Sequence, residues 1–274
     1  MALAKSQTKP PLVDPIFERL RGEAHAALRE EAGLGPLLHD AILGQCSLEG
    51  AIAHRVSERL AGSEVSGAAI RQAFAQYFER SQEAGAVLRA DLLAVLERDP
   101  ACNRLLEPML YFKGFHAIQA YRVAHAAWLG GRSDFALALQ SLSSQKFQTD
   151  IHPAARIGRG LFLDHATGVV IGATAVIEDD VSMLHGVTLG GSGKKDGDRH
   201  PKVRRGVLIG AGAQIFGNVE IGAGALVAAG SVVLEDVPPH KTVAGAPARI
   251  VGNVTEAEPA HAMDQVHDVI DSGI

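Results

Sequence analysis

The sequence predicts an α+β protein in which an N-terminal α-helical domain is followed by a parallel β-helix of hexapeptide repeats. Three observations support this fold class. Residues 151–252 hold more than half of the 30 glycines. The sequence before them has apolar residues at helical spacing, whereas the sequence after residue 150 repeats every six residues. The change of period places the boundary between the two parts near residue 150.

The N-terminal part is predicted to be a series of helices. The stretch "DPIFERLRGEAHAALREEAG" begins at Asp14, whose carboxylate can cap a helix with Pro15 in its first turn. Further helices are predicted over residues 48–61, 66–98, 111–129 and 133–147, with breaks at Gly62, Asp99-Pro100 and Gly130-Gly131.

An aliphatic residue opens each six-residue repeat, as in "IGATAV" and "IGAGAQ". The openers are Ile151, Ile157, Leu163, Ile171, Ile177, Met183, Leu189, Ile209, Ile215, Ile221, Val227 and Val233. Their alignment requires a two-residue slip at Val169-Val170 and one longer break. Such a period is typical of a parallel β-helix, where each short strand forms one side of a three-sided coil. A sandwich of glycine-rich strands is the alternative, but it would need alternating polarity and hairpin turns.

The register of the repeats predicts which residues become neighbours. Stacked coils lie about 4.8 Å apart, so His165 is expected directly under His185. The predicted organisation is an α-helical domain over residues 1–149, the β-helix over residues 150–252 and a flexible tail over residues 253–274. The tail is acidic and lacks the repeat, which is the composition of a disordered terminus.

Composition limits the function classes. The chain carries a net charge of -5 and only 5% aromatic residues, which argues against a nucleic-acid partner. It has no apolar run long enough for a membrane helix and no signal-peptide core, so a cytoplasmic location without a membrane partner is expected. Cys46 and Cys102 lack metal-motif spacing and suit a reducing compartment.

The stretch "GLFLDHATGVVIG" places Asp164 and His165 among aliphatic residues and glycines. Such a pair can be a catalytic base with its neighbour, a metal ligand or a satisfied structural pair. Histidine is the usual general base because its ordinary pKa lies near neutrality. The residues alone leave these alternatives open.

Several motifs together resemble a known family. They are "RDPA", "YFKGFHAIQAYR", "DIHPAARIG", "LDHATG", "VTLGGSGK", "GDRHPKV" and "GAPARIVG", which cover most of residues 90–252. The hexapeptide half resembles the left-handed β-helix acyltransferases, and the ordered set resembles bacterial serine O-acetyltransferases. The resemblance implies acetyl transfer from acetyl-CoA, as a co-substrate, to the hydroxyl of L-serine, with no permanently bound cofactor. It also implies a homo-hexamer, built as a dimer of trimers joined through the N-terminal helices.

The resemblance implies roles for single residues as well. His165 matches the family's catalytic histidine, a general base that takes the proton of the serine hydroxyl. Asp150 matches the carboxylate that orients this histidine. No metal ligand is expected.

Serine brings an ammonium and a carboxylate, which require opposite charges near the base. Asp99 and Asp164 match the family's amino-acid-binding acids. Arg199 and His200 match its positive partners, and the arginine is suited to a two-pronged contact with a carboxylate.

CoA is expected to lie along the β-helix between neighbouring subunits, against small residues, for which Gly191, Ala211 and Ala229 are the candidates. The basic loop "SGKKDGDRHPKVRRG" supplies possible phosphate contacts, namely Lys194, Lys195, Lys202, Arg204 and Arg205. Both cysteines lie in the helical half and no Gly-x-Ser-x-Gly elbow occurs, so direct transfer is favoured over an acyl-enzyme.

The resemblance further implies inhibition by L-cysteine and binding of O-acetylserine sulfhydrylase through the tail that ends at Ile274. Three alternatives stay open. One is a hexapeptide acetyltransferase with another hydroxyl acceptor, such as homoserine or a sugar. Another is a γ-carbonic-anhydrase-like metalloenzyme with His152, His165 and His185 as ligands. The third is a non-catalytic scaffold.

Overall fold

The N-terminal half is a bundle of helices. The computed structural model describes residues 13–193 and 196–265. The helices are α1 Pro15–Glu30, α2 Gly35–Leu38, α3 Leu48–Leu60, α4 Gly67–Arg80, α5 Ala84–Arg98, α6 Leu106–Leu110, α7 Lys113–Leu129 and α8 Ser133–Phe147, with a 3-10 turn at Ala32–Leu34 and a π turn at His39–Leu43. As predicted, the Asp14 carboxylate accepts a hydrogen bond from the Ile16 amide at 3.1 Å, and Pro15 opens α1.

One helix prediction is wrong. Residues 66–98 form two helices, α4 and α5, because the backbone turns at Ser81, whose conformation is extended. The apolar pattern continues on both sides of this turn, and neither proline nor glycine marks it. The short helix α6 was also missed. The predicted helices over residues 48–61, 111–129 and 133–147 are confirmed within one or two residues at each end.

The C-terminal half is a solenoid of short parallel strands, which confirms the predicted fold class. The strands are β1 Thr149–Ile151, β2 Arg156–Ile157, β3 Phe162–Leu163, β4 Val169–Ile171, β5 Val176–Ile177, β6 Ser182–Met183, β7 Thr188–Gly190, β8 Lys202–Val203, β9 Leu208–Ile209, β10 Gln214–Phe216, β11 Glu220–Ile221, β12 Leu226–Val227 and β13 Val232–Val233. They form the three sides of a prism, which we call sheet A (β1-β4-β7-β10-β13), sheet B (β2-β5-β8-β11) and sheet C (β3-β6-β9-β12). The hairpin β14 Lys241–Gly245 and β15 Ala248–Asn253 extends sheet C.

The predicted openers form the core of the prism. All of them are buried except Ile157, which is partly buried. A further opener, Val203, was missed because it follows the long loop after β7. It lies in register between Ile177 and Ile221 on sheet B.

The predicted slip at Val169-Val170 is wrong in its position. Both residues belong to β4, and Val170 pairs in register with Asp150. The two extra residues instead lie in the preceding corner, where His165 and Ala166 have φ values of 54° and 58°. A strand cannot absorb two residues without losing its register, whereas a corner can loop outward.

The helices dock on the first coils of the prism through a buried ion pair. Asp91 of α5 is fully buried and accepts hydrogen bonds from Arg122 of α7 at 3.1 and 3.2 Å and from the Gly160 amide at 2.9 Å. The Arg122 guanidinium also donates to the Ile157 carbonyl at 2.6 Å. Because each charge is compensated by several hydrogen bonds, the pair fixes the angle at which both helices meet the prism.

The expectation of a flexible tail from residue 253 is corrected for its first part. Residues 254–265 return along the outer face of sheet C, where Leu184, Leu208 and Leu226 form a small apolar cluster. Val254 and Met263 pack on this cluster, and helix α9 Pro259–Ala262 follows the same path. The burial of apolar surface holds this segment despite its acidic composition.

Candidate active site

A pocket of about 690 Å³ opens where the helical half meets the first coil of the prism. It lies between the end of α5, the start of α7 and the corner that joins β3 to β4. Three of the predicted site residues line it, namely Asp99, Asp164 and His165. Its size is within the range of pockets that bind small molecules.

His165 projects from a strained corner of the prism. His165 and Ala166 both have left-handed backbone conformations, which cost roughly 1–2 kcal/mol for each residue with a side chain. The two-residue insertion pushes the turn outward, and the His165 side chain is 77% exposed. Strain of this kind is typical of functional positions.

The corner repeats along the prism and forms a column. The register of β3, β6, β9 and β12 aligns Leu163, Met183, Ile209 and Val227. Two residues after each of them stand His165, His185, Ala211 and Ala229. The predicted approach of His165 and His185 is confirmed, because their ring centroids lie 6.0 Å apart at an interplanar angle of 72°. Both predicted CoA alanines therefore lie on the same corner as the predicted base.

Two carboxylates face the pocket from different halves of the chain. Asp99 ends α5 and accepts a hydrogen bond from the Ala101 amide at 2.8 Å. Asp164 begins the corner, and its Oδ1 lies 3.8 Å from Nε2 of His165. Burial raises the pKa of Asp164 above its ordinary value, and the charge of Asp99 raises it further, while His165 and His185 act in the opposite direction. An ammonium group between the two carboxylates would relieve this repulsion.

Asp150 does not lie in this pocket. Its residue occupies the outer side of sheet A, and its carboxylate accepts a hydrogen bond from Nε2 of Gln140 at 2.6 Å. Within the described residues, no hydrogen bond joins Asp150 to His165 of the same chain. The carboxylate beside His165 in one chain is that of Asp164.

Arg199 and His200 lie on a different part of the prism. Arg199 lines a separate pocket of about 680 Å³ together with Phe216 and Leu234. His200 is buried, and its Nδ1 lies 2.8 Å from the Thr174 hydroxyl. Burial lowers the pKa of His200, and the charges of Arg199 and Lys202 lower it further. Its neutral form is therefore favoured.

Gly191 is placed with Arg199 and away from the two alanines. A Cβ at Gly191 would lie 3.2 Å from the aliphatic carbons of Arg199. Most of the predicted site residues therefore fall into two groups within one chain. The first, called the base corner, contains Asp99, Asp164, His165, Ala211 and Ala229. The second, called the arginine loop, contains Gly191, Arg199 and His200.

Comparison with known proteins identifies the family. Residues 16–120 match the family model described as "Serine acetyltransferase, N-terminal". A serine acetyltransferase of Salmonella typhimurium is 50% identical over 250 residues, which make up 91% of this chain and 92% of the relative. The chain belongs to the serine acetyltransferase family.

Solved serine acetyltransferases share the fold of this chain. The enzyme from Brucella abortus in complex with coenzyme A is 58% identical, with a TM-score of 0.87 over 88% of this chain and 96% of that chain. A serine acetyltransferase in complex with cysteine is 46% identical, with a TM-score of 0.90 over 92% and 98% of the two chains. Membership of this enzyme family sets aside the carbonic-anhydrase-like and scaffold alternatives.

Of the three histidines in the metalloenzyme alternative, His152 lies apart from the other two. His152 packs edge-on against Trp128 at 5.4 Å between ring centroids, whereas His165 and His185 lie 6.0 Å apart on one corner of the prism. Among residues 13–193 and 196–265, no group of three or more His, Cys, Asp or Glu side chains is arranged to hold a metal ion. Over the same residues, no helix is both long and apolar enough to cross a membrane.

Three cations of the basic loop are paired with acids of the same chain. Lys202 contacts Asp198 at 2.6 Å, Arg204 contacts Glu178 and Glu220, and Arg205 contacts Asp180 at 3.1 Å. These three cations line a groove on sheet B, apart from the base corner of their own chain. Lys194 and Lys195 lie outside the described residues.

Sequence reasoning missed other residues of the base-corner pocket. Arg98, Lys113 and His261 all line it. Lys113 lies in the motif "YFKGFHAIQAYR", so its place in the family pattern was a usable signal. His261 gave no such signal, because it reaches the pocket only through the path of the tail over sheet C.

Proposed function

We propose that this chain transfers the acetyl group of acetyl-CoA to the hydroxyl of L-serine, giving O-acetyl-L-serine for cysteine synthesis, with His165 as general base. The observation that carries the proposal is the position of His165. Its ring projects from a strained corner into a pocket that also contains Asp99 and Asp164. Two carboxylates suit the ammonium of an amino acid, and the base stands beside them.

The reaction needs one base and no covalent enzyme intermediate. Neutral His165 accepts the hydroxyl proton as the serine oxygen attacks the thioester carbonyl. The tetrahedral intermediate then expels the CoA thiolate, which takes the proton back from the imidazolium. Burial raises the pKa of Cys102 to about 12, so this thiol stays protonated at neutral pH and does not act as a nucleophile.

We propose that neighbouring subunits complete the site. Asp150, Arg199 and His200 lie away from the base corner of their own chain. In the proposed trimer they meet the His165 of a neighbouring chain. Asp150 would then orient that histidine, and Arg199 with His200 would bind the serine carboxylate. The exposed apolar side chains of Val170 and Phe216 on sheet A, and of Leu234 directly after β13, support this association. Two such trimers joined through the N-terminal helices give the proposed homo-hexamer.

We place CoA along the base corner, against Ala211 and Ala229, with Gly191 contributed by the neighbouring chain. Small side chains on one corner leave room for an extended cofactor to lie close to the backbone. A 58% identical relative is solved in complex with coenzyme A. Acetyl-CoA is a co-substrate in this proposal and no cofactor is permanently bound.

L-cysteine is proposed as an inhibitor that occupies the serine position. Its thiol replaces the hydroxyl of serine, while its ammonium and carboxylate stay the same. A 46% identical relative is solved in complex with cysteine. We also propose that the tail binds O-acetylserine sulfhydrylase through its end at Ile274, which lies outside the described residues. The two unpaired cysteines fit a cytoplasmic location.

Thiol release from acetyl-CoA tests the proposed function. Serine should support rapid release, whereas homoserine and sugar acceptors should support little. His165→Ala should lower kcat by a factor of roughly 10² to 10⁴ with serine. Activity of His165→Ala close to wild type would contradict the assignment of the base. A stoichiometric burst of thiol with acetyl-CoA alone would contradict direct transfer.

A further inference from the structure

The left-handed corner that carries His165 is held both by the prism and by the helical half of the chain. Within the corner, the Thr167 amide donates to the His165 carbonyl at 2.8 Å and the Ala166 amide donates to the Asp164 carbonyl at 2.6 Å. These contacts between near neighbours form a tight turn. They do not fix the turn relative to the pocket. The next coil does so in part, because the Gly186 amide donates to the Thr167 carbonyl at 2.8 Å, and further contacts come from the helical half.

Lys113, the first residue of α7, makes such a contact. Its Nζ donates to the Thr167 hydroxyl and to Oε1 of Gln148 at 3.2 Å. Gln148 follows α8 and also has a left-handed backbone, with φ at 57°. One ammonium group therefore joins the start of α7, the end of α8 and the corner of His165.

The elements around Lys113 pack closely against the His165 corner and leave the corner little freedom of movement. A Cβ at Gly114 would lie 2.2 Å from the Leu163 carbonyl oxygen, so α7 touches the backbone just before the corner. The Thr149 hydroxyl donates to the Ala166 carbonyl at 3.2 Å from below. Burial lowers the pKa of Lys113, and the charge of Arg59 lowers it further, so the lysine stands in a partly desolvated place.

We propose that Lys113 is a positioning residue for the reaction, which holds the His165 corner in its strained conformation through Thr167 and Gln148. The inference rests on the proposed role of His165 as general base. Lys113 touches neither reacting atom in this proposal. It acts by fixing the direction of the imidazole, on which proton transfer depends steeply.

The first test compares Lys113→Met with Lys146→Met in the full-length enzyme. Lys146 is an exposed lysine in the last turn of α8 and serves as the matched control. Lys113→Met should lower kcat by about tenfold. The KM for acetyl-CoA should stay within about twofold of wild type, as should all constants of Lys146→Met. A kcat of Lys113→Met equal to that of the control would overturn the inference.

Two further variants separate positioning from a general loss of folding. Thr167→Val removes the acceptor but keeps the shape of the side chain, so it should lower kcat as Lys113→Met does. The double variant should be no slower than the slower single variant, because both remove one contact. If the losses in kcat of the two single variants multiply in the double variant, the inference is overturned. Ala166→Gly should restore part of the kcat of Lys113→Met, since glycine adopts the left-handed conformation without strain, and no recovery would argue against the strained corner.

The experiment distinguishes this inference from the proposed function. If His165→Ala stays active, the assignment of the base fails. If His165→Ala is inactive while Lys113→Met and Thr167→Val keep the kcat of wild type, only the role of Lys113 fails.

Discussion

The imidazole of His165 and the carboxylate of Asp164 lie side by side, with 3.8 Å between Nε2 and Oδ1. The carboxylate of Asp150 is instead held by Gln140 on sheet A. Only Asp164 shares the pocket with His165 in a single chain. This arrangement supports the proposed role of Asp164 in substrate binding, and it makes the proposed role of Asp150 depend on a second subunit.

A shared site predicts complementation between two inactive variants. His165→Ala disables the base corner, and Arg199→Ala disables the arginine loop. Each variant alone should be nearly inactive, whereas co-expressed chains should recover about a quarter of the wild-type activity. In a randomly assembled trimer, about one interface in four combines an intact base corner with an intact arginine loop. Thiol release from purified mixed oligomers measures the recovery. Mixtures that stay as inactive as the separate variants would contradict a site built between chains.

Asp164→Asn should weaken serine binding but stabilise the fold. The pKa of Asp164 is raised by burial and by Asp99, so its protonated form favours folding and this contribution is lost as the pH rises through the raised pKa. At neutral pH the neutral Asn should therefore give a higher unfolding midpoint, and the difference should vanish in acid. Loss of the charged partner should lower kcat/KM for serine by about 10- to 100-fold.

The raised pKa of Asp164 also predicts how the serine KM depends on pH. In the wild type, the serine KM should rise as the pH falls through the raised pKa of Asp164, at a higher pH than an ordinary aspartate would require. 3-Hydroxypropanoate lacks the ammonium and serves as the control acceptor, for which Asp164→Asn should have a much smaller effect. An equal effect on both acceptors would contradict an ammonium partner.

The local sequence predicted the part of the fold in which the residue pattern repeats. The period of six identified the prism and aligned His165 with His185, because every coil imposes the same spacing on its buried residues. It did not locate the two-residue insertion, since only the strand pairing of Val170 with Asp150 shows that the extra residues lie in the corner. The turn at Ser81 was missed because the apolar pattern continues across it.

The residues of the candidate site could be predicted from the sequence only where they lie in one of the family motifs. Asp99, Asp164 and His165 meet in one pocket, although Asp99 lies in the other half of the chain. The path of the tail over sheet C depends on an apolar patch formed by Leu184, Leu208 and Leu226. These leucines come from separate coils, so no local window of sequence shows that they form one surface.

The close packing of His200 against Gly172 predicts that Gly172→Ala destabilises the protein. A Cβ at Gly172 would lie 2.0 Å from the imidazole of His200, so the ring would have to leave the Thr174 hydroxyl. The variant should lose about 1–3 kcal/mol of unfolding free energy, and the serine KM should rise if His200 binds the carboxylate. Gly252→Ala is the control, since no heavy atom beyond its two chain neighbours lies within 4 Å of its added Cβ. Equal stability of the two variants would contradict the close packing of His200.

The contacts of Arg98 predict that its loss lowers the stability of the fold and also weakens serine binding. Its side chain is only 2% exposed, and it donates to the Gly160 carbonyl at 3.0 Å, to the Ser182 hydroxyl at 3.2 Å and to His261 at 3.1 Å. The arginine thus fastens the end of α5, where Asp99 follows, to the prism and the tail. Arg98→Met should lose about 3 kcal/mol of unfolding free energy, because several buried acceptors lose their partner.

The same variant should raise the serine KM more than the acetyl-CoA KM, because Asp99 loses its fixed position beside Asp164. Arg89→Met is the matched control. Arg89 is a half-buried arginine that pairs with Glu49 at 2.7 Å within the helical half, so its loss should lower the unfolding midpoint without a selective change in serine KM. Urea unfolding and initial rates on both variants measure the two effects. If both variants raise the serine KM equally, destabilisation alone explains the change and Arg98 does not position Asp99.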